Sequence, residues 1–516
     1  MESCILTVFL VLIQKISCDN FSSINLPLEH IPYYFTKFPD VAAKCQNDPE
    51  CPYKDHIQTK HWGYEFNVEW GQQYSVPDCP GDHKGWVQTK FDQQNTFYTQ
   101  GDFGFVKQQA LEMKVICEPL FPHDSILECS DHMRYCRGRN LMINFTSLAN
   151  RQEPIRYKMD VLSKGDIGGY CDLKEDEIEK QADHISALQS WGPEIRYFTK
   201  LDDRPIVKGV CDVVIERPTY IMKIDATVNM YHHFCDFLNL YASLHLNNQP
   251  DAFSTDINIL IWETFTYRSL FQETWKAFTT RELWDLKTFR GETVCFKNVF
   301  FPLLPRMIFG LYYNTPLIYG CKKSGLFHAF SKHILHRLQI PIYPRVNRKV
   351  RVTLLSRDTK YRRILNEDKL MEVIEDNEDY EIQRVVYNKD IPFKKQLEIT
   401  ANTDVLVGIH GAGLTHLLFL PDWASVFEVY NCEDANCYSD LSRLRGVHYV
   451  TWKDSDKLTS ETDGSHKGGA HAKFANYSFD VKEFQRLLKE ATDHVKKHPQ
   501  FNEYVDESKQ YGHDEL

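Results

Sequence analysis

The chain has 516 residues, long enough for two or three cores, and 42% apolar with 13% aromatic content suits an ordinary folded protein with no membrane span. A formal charge of −11 argues against nucleic acid or any other large polyanion as partner. It leaves room for a local basic patch that holds phosphate.

Residues 1–18 carry a run of mostly apolar positions, Ile5 to Ile13, too short to anchor in a bilayer and readable as a secretory signal. The far end, His513-Asp514-Glu515-Leu516, is the address read by the retrieval receptor of the endoplasmic reticulum, so the two ends together predict a lumenal protein. Asn20, Asn144 and Asn476 head Asn-x-Ser/Thr sequons, each of which needs a surface position if glycosylated.

Of the fifteen cysteines, Cys4 and Cys18 leave with the signal, so at least one of the rest is unpaired or pairs between chains. No C-x-x-C pair exists, and disulfides in an oxidising lumen explain the cysteines better than zinc does. The short spacing of Cys432 and Cys437 predicts a local bridge. Cys235, inside a helical pattern, is the candidate free thiol.

Residues 19–210 form a Cys-rich, loop-rich front portion with a helical stretch around Glu175 to Ser190. From 211 to 340 the pattern alternates: a strand at Thr219 to Ile224, a helix from Met230 to Leu244, and strands at Ile257 to Trp262 and Val294 to Phe301. Ile340 to Arg345, with two prolines, reads as a linker.

Residues 346–500 give the cleanest alternation. Strands are predicted at Val350 to Leu355, Tyr380 to Val386, Val405 to Ile409, Ser425 to Tyr430 and Val447 to Trp452. Helices are predicted near Asp368 to Ile374, at Lys395 to Thr400, Leu414 to Leu420 and Val481 to Lys497; residues 501–516 form a tail. This is a doubly wound α/β pattern, whose ligand lies beyond the carboxyl ends of the strands where strand order reverses.

At those strand ends stand the candidate site residues. His410-Gly411-Ala412-Gly413 makes a tight turn from strand to helix, where free N–H groups and the helix dipole suit a diphosphate. The alternative is that the glycines serve only close packing. Arg357 and Arg362, after the first strand, can fork onto phosphate oxygens, or else belong to a solvated basic loop. Glu428 at a fourth strand end suits a pair of ribose hydroxyls, or faces solvent. His416 contacts a sugar or phosphate, or only packs. In the other half, His232 and Asp236 lie four residues apart on one helical face, so that Asp236, or His232 oriented by it, can act as a base; the alternative is a cap and a surface ion pair.

Several strings carry a resemblance: NMYHHFCDF at 229–237, LPRM at 304–307, LYYNTPL at 311–317, GIHGAGLTHLLFLPDW at 408–423, YNCED at 430–434, RLRGVH at 443–448 and, more loosely, CPYK at 51–54. On these the chain resembles glycosyltransferase family 61, densely from about 215 to 500.

The resemblance implies a GT-B-like α/β fold, two Rossmann-like domains facing a cleft, with the acceptor on the first and the nucleotide sugar on the second. It also implies an inverting transferase that uses UDP-N-acetylglucosamine (UDP-GlcNAc) and attacks with a Ser or Thr hydroxyl of folded, disulfide-bonded EGF-like domains, as in Notch-like receptors. Arg306 and the turn at 410 then neutralise the diphosphate. Vertebrate relatives carry Asp-Tyr-Asp where this chain has Thr280-Arg281-Glu282, so no carboxylate pair is available there as a metal clamp, and a divalent cation stays an open question. Two other functions fit the same residues: a lumenal carbohydrate-binding or chaperone-like protein on a transferase fold, and a transferase with a glycan acceptor.

Overall fold

Five short, β-branched or apolar runs after residue 349 become the strands of one sheet, while residues 114–301 supply the strands of a second and larger one. The computed structural model describes residues 21, 24–57, 62, 73–82, 87–181, 186–207, 209–247, 253–306, 320–345, 347–467 and 469–512, with side chains as far as 506. The expected signal, Asn20, the string at 311–317 and the terminal tetrapeptide lie outside the described residues. Among the described residues no helix is long and apolar enough to cross a membrane.

The larger sheet has eleven strands: β1 (Lys114–Glu118), β2 (Ile126–Cys129), β3 (Cys136–Asn144), β4 (Ile167–Gly169), β5 (Asp172–Leu173), β6 (Phe198–Lys200), β7 (Val213–Ile215), β8 (Thr219–Met222), β9 (Asn258–Ile261), β10 (Trp284–Asp285) and β11 (Thr293–Phe301). Its main path runs β10-β9-β8-β11-β3-β2-β1-β5. β8, β9, β10 and β11 run parallel, and β8 and β9 are buried on both faces, as expected of parallel strands covered by helices. β3 then pairs antiparallel with β11, from Asn144 opposite Thr293 to Cys136 opposite Phe301. The Cys-rich portion is thereby woven into the same sheet as residues 211–340, and a boundary at 210 runs through that sheet.

The smaller sheet is wholly parallel: β12 (Val350–Leu355), β13 (Tyr380–Val385), β14 (Val405–Gly408), β15 (Ser425–Glu428) and β16 (His448–Thr451), in the order β13-β12-β14-β15-β16. Side chains alternate across it. Leu355, Leu406 and Val426 join the large core shared with the first sheet, while Val350, Val352, Val405, Val407 and Phe427 join a second core under the helices Glu367–Glu375 and Val481–Lys497. The two parts of the chain meet over aromatic rings: Phe234 lies 5.8 Å from Phe393 and 5.6 Å from Phe419, and Phe271 lies 5.2 Å from Phe393.

Buried Asp102 stitches the front portion to the middle. It accepts from its own helix at Phe103 N and from Gly325 N and Leu326 N at the start of the helix Gly325–Arg337.

Among the described residues five disulfides join Cys45–Cys51, Cys79–Cys321, Cys117–Cys171, Cys129–Cys136 and Cys211–Cys295. Cys235 is outside them, as expected, but so are Cys432 and Cys437, which corrects the local bridge. The reason is packing. Cys432 faces the second core, whereas Cys437 packs against the first and bonds to Tyr231. Burial pushes both thiols up to about 12, so neither is a ready thiolate.

Asn144, at the end of β3, is partly exposed. Asn476 is buried, with its amide donating to Glu461 (2.7 Å) and accepting from Arg363 N (2.9 Å), so the surface position a glycan needs is not met there.

Candidate active site

In the smaller sheet the chain passes from β12 outward to β13, then crosses to the other side of β12 to make β14. Strand order therefore reverses between β12 and β14, and the crevice of such a fold opens beyond their carboxyl ends. Arg357 follows β12 by two residues, and His410-Gly411 follows β14 by two and three. The fold brings them together: a Cβ built on Gly411 would lie 2.2 Å from Arg357 Nη1 and 3.4 Å from Arg362 Nη1. Gly411 has φ 157° and ψ 164°, a backbone conformation that residues with a side chain rarely adopt, and the Arg357 guanidinium also occupies the place of a side chain, so backbone and space both call for glycine.

Arg362 Nη1 donates to His410 O (3.1 Å), and Arg357 Nε donates to Thr359 Oγ1 (3.3 Å). Among the described residues neither guanidinium has a carboxylate within ion-pair distance. Burial, and then the neighbouring Arg362 charge, push Arg357 down to about 10, still cationic at neutral pH. Two like charges held side by side, with no ion-paired carboxylate among the described residues, suit an anion.

Behind the turn, His410 Nδ1 bonds Glu428 Oε1 at 2.9 Å, and the other carboxylate oxygen takes the Tyr449 hydroxyl. Both oxygens of Glu428 are thus engaged and the side chain is buried, so it does not face solvent, and its bond orients His410. The helix after the turn, expected from Leu414, is a 3-10 helix over Ala412–Phe419. His416 sits inside it, buried, with Nδ1 on Gly413 O (2.8 Å) and Nε2 beside Gln396 Oε1 (3.1 Å). Burial pushes His416 down to about 4, so a neutral ring supports the turn.

A cleft of about 280 Å³ runs along this corner, and both parts of the chain wall it: Val228, Met230, Leu270 and Phe271 on one side, Arg357, Gly411 and Gly413 on the other. Met230 opens the helix Met230–Leu246, capped by Asn229, and the first turn of that helix carries His232.

The imidazole partner predicted from spacing is corrected here. His232 Nδ1 bonds Asp225 Oδ2 at 2.9 Å, while Asp236 bonds His233 Nδ1 at 2.8 Å. Asp236 is fully buried and its side chain faces inward, toward His233 and the Asp225 N–H. Burial drives it well above the carboxylate range, and drives His233 down to about 3, so this pair is neutral and internal. His233 Nε2 continues the chain to the Tyr267 hydroxyl at 2.6 Å.

Asp225 also pairs with Arg306 (2.6 Å) and receives the Tyr157 hydroxyl at 3.4 Å. Burial opposes its ionisation, but the bonds from His232 and Arg306 outweigh burial and hold the carboxyl below its usual range. An ionised Asp225 fixes the His232 tautomer with Nδ1–H toward itself and the basic lone pair on Nε2. The His232 side chain is 29% exposed, against 0% for Asp236, so of the two only His232 reaches the surface. Arg306 stands beside Asp225 in the part of the chain that carries the larger sheet, rather than at the turn at 410.

Spacing arguments missed Asp225. Its position, three residues past β8 at a carboxyl end, is the signal that finds it. Arg281, within the Thr280-Arg281-Glu282 string, pairs with exposed Asp256 beside β9. Among the described residues no three His, Cys, Asp or Glu side chains come together as a metal set.

Residues 230–427 match the family Glycosyltransferase 61. The EGF domain-specific O-linked N-acetylglucosamine transferase of Drosophila melanogaster is 53% identical over 486 residues, covering 94% of this chain and 93% of its own length. Proteins of the same name from Canis lupus familiaris and Mus musculus are 48% and 47% identical over 488 residues, each covering 93% of this chain and 92% of its own.

Proposed function

This chain belongs to glycosyltransferase family 61, and on that premise we propose that it moves N-acetylglucosamine from UDP-GlcNAc to a Ser or Thr hydroxyl of a folded EGF-like domain, inverting the anomeric carbon. One observation carries the reading. Two guanidiniums without carboxylate partners meet a glycine turn at the switch point of a parallel sheet, and the helix bearing His232 closes the same cleft from the other part of the chain.

The reaction is a single displacement. His232, oriented by Asp225, takes the hydroxyl proton as the oxygen bonds to C1 of the sugar. The C1–O bond to the diphosphate breaks, and UDP leaves with the electron pair, its charge met by Arg357, Arg362 and the N–H groups of the turn. Donors fixed in advance cost little reorganisation at that moment. The arrangement supports a GT-B-like division of labour, with the donor on residues 346–500, the acceptor on 211–340 and the Cys-rich portion built into the acceptor sheet.

A lumenal site of action, with retrieval to the endoplasmic reticulum through 513–516, belongs to the same proposal. Five disulfides support an oxidising compartment.

The test is UDP release from UDP-GlcNAc with and without a folded EGF-like domain. Release should rise with acceptor, and His232→Ala should lower kcat by roughly 10²–10⁴-fold, the scale of a lost general base. A wild-type protein that binds donor yet shows no acceptor-dependent release would leave a carbohydrate-binding role in place of transfer. Wild-type kcat in His232→Ala would remove that residue from the chemistry.

A further inference from the structure

Three loops frame the His232–Asp225–Arg306 cluster, and each presents an exposed apolar side chain. Val228, on the loop that leads into the helix Met230–Leu246, is 85% exposed; Phe265 and Leu270, on the loop after β9, and Tyr157, on the 153–159 loop, are each about half exposed. Single exposed apolar residues are ordinary on a protein surface. Several gathered around one reactive group mark a contact surface.

The loops are fixed to one another. Ser269 Oγ donates to Thr227 O (2.7 Å), Thr264 Oγ1 to Glu153 O (2.8 Å), Ile155 N to Glu263 Oε1 (3.0 Å), and Arg156 Nη1 to Asp225 O (2.5 Å). Arg306 lies over the Tyr157 ring at 5.8 Å, and the Tyr157 hydroxyl reaches Asp225. The apolar side chains therefore stand on a braced rim rather than on independent loops. Val228 and Leu270 also wall the cleft, so the rim is continuous with the place where the hydroxyl must enter.

Resting on the transferase reading above, we propose that the rim formed by Tyr157, Val228, Phe265 and Leu270 is the docking surface for the protein acceptor, and that it binds an apolar side chain exposed next to the reactive Ser or Thr on a folded domain. Size supports this. A cleft of about 280 Å³ is far too small for a folded domain, which has to rest outside it. The surface the domain meets there is apolar and already ordered, so little side-chain freedom is lost on contact. The rim selects acceptors by their surface, while the cleft selects the donor.

The experiment compares wild type with Phe265→Asp, Phe265→Leu and the double variant Val228→Ser/Phe265→Ser, measuring KM and kcat for a folded EGF-like domain and, separately, the Kd of UDP. Phe265 touches neither the cleft nor the His232 cluster. Phe265→Asp should raise KM for the folded domain by about tenfold or more, the effect of charging a contact anchor, with the Kd of UDP unchanged. Phe265→Leu should keep most of the affinity, and the double variant should lose more than Phe265→Leu does. Wild-type KM in Phe265→Asp, or an equal loss in Phe265→Leu, overturns the rim. Absence of acceptor-dependent UDP release in the wild type contradicts the transferase reading itself and takes the rim with it, so the two failures are told apart.

Discussion

At residue scale, the turn at 410 is a matter of which atoms fill one small space. Arg357 can reach over the backbone because position 411 has no side chain, and Gly411→Ala puts a methyl carbon where Nη1 now lies. The far end of an arginine moves easily, but a residue with a side chain is strained at φ 157°, so the variant should melt a few degrees lower and lose about tenfold in UDP affinity as the displaced guanidinium gives up its hydrogen bond. Calorimetry with UDP beside a thermal melt checks both halves. Arg357, His410 and Gly411 were legible in the sequence because strand-end position and residue type sufficed to place them. Asp236 and Glu428 were not, because their partners come from elsewhere: three-residue spacing gives Asp236 to His233, and the β15–β16 register brings Tyr449 against Glu428.

At the scale of elements, the five strands of the smaller sheet were readable because buried parallel strands are short continuous apolar runs between helical patterns. The strands before residue 210 escaped notice because most are short and unevenly buried, and the long one, β3, pairs with the distant β11. The 3-10 winding of Ala412–Phe419 was also hidden, since its residues from Leu414 on are buried on all sides and show no helical face.

Just past β8, Lys223 is fully buried against Glu194 (2.7 Å), donates to Ala187 O (2.9 Å) and lies over Trp191. Burial pulls the lysine down and pushes the glutamic acid up, so the pair survives on its geometry. Lys223→Met strands the carboxyl and should cost about 3–5 kcal/mol, read from denaturant unfolding. A loss below 1 kcal/mol would show that the carboxyl finds another partner.

At the scale of the molecule, His328 joins three regions: Nε2 reaches Glu29 of the front portion and Nδ1 reaches Asp422 beside the smaller sheet, each at 3.2 Å, while Asp422 also holds Arg445 at 2.8 Å. Burial lowers the His328 pKa, but Asp422 and Glu29 outweigh it and the net shift is upward. A native pKa above the unfolded value means that the stabilisation is complete below about pH 6.5 and is lost as pH rises through the native pKa. Stability of wild type relative to His328→Gln should therefore fall between pH 6 and pH 8; a constant difference would contradict the linkage.

The proposed function rests on one arrangement, a cationic corner on the parallel sheet that shares a cleft with the start of the helix carrying His232. Titrating UDP into wild type, Arg357→Ala and Arg362→Ala tests it most directly. Each loss removes a charge-assisted contact of about 1.5–3 kcal/mol, so the Kd of UDP should rise roughly tenfold to a hundredfold in each variant, with folding intact. Wild-type affinity in both would place the diphosphate elsewhere and contradict the account.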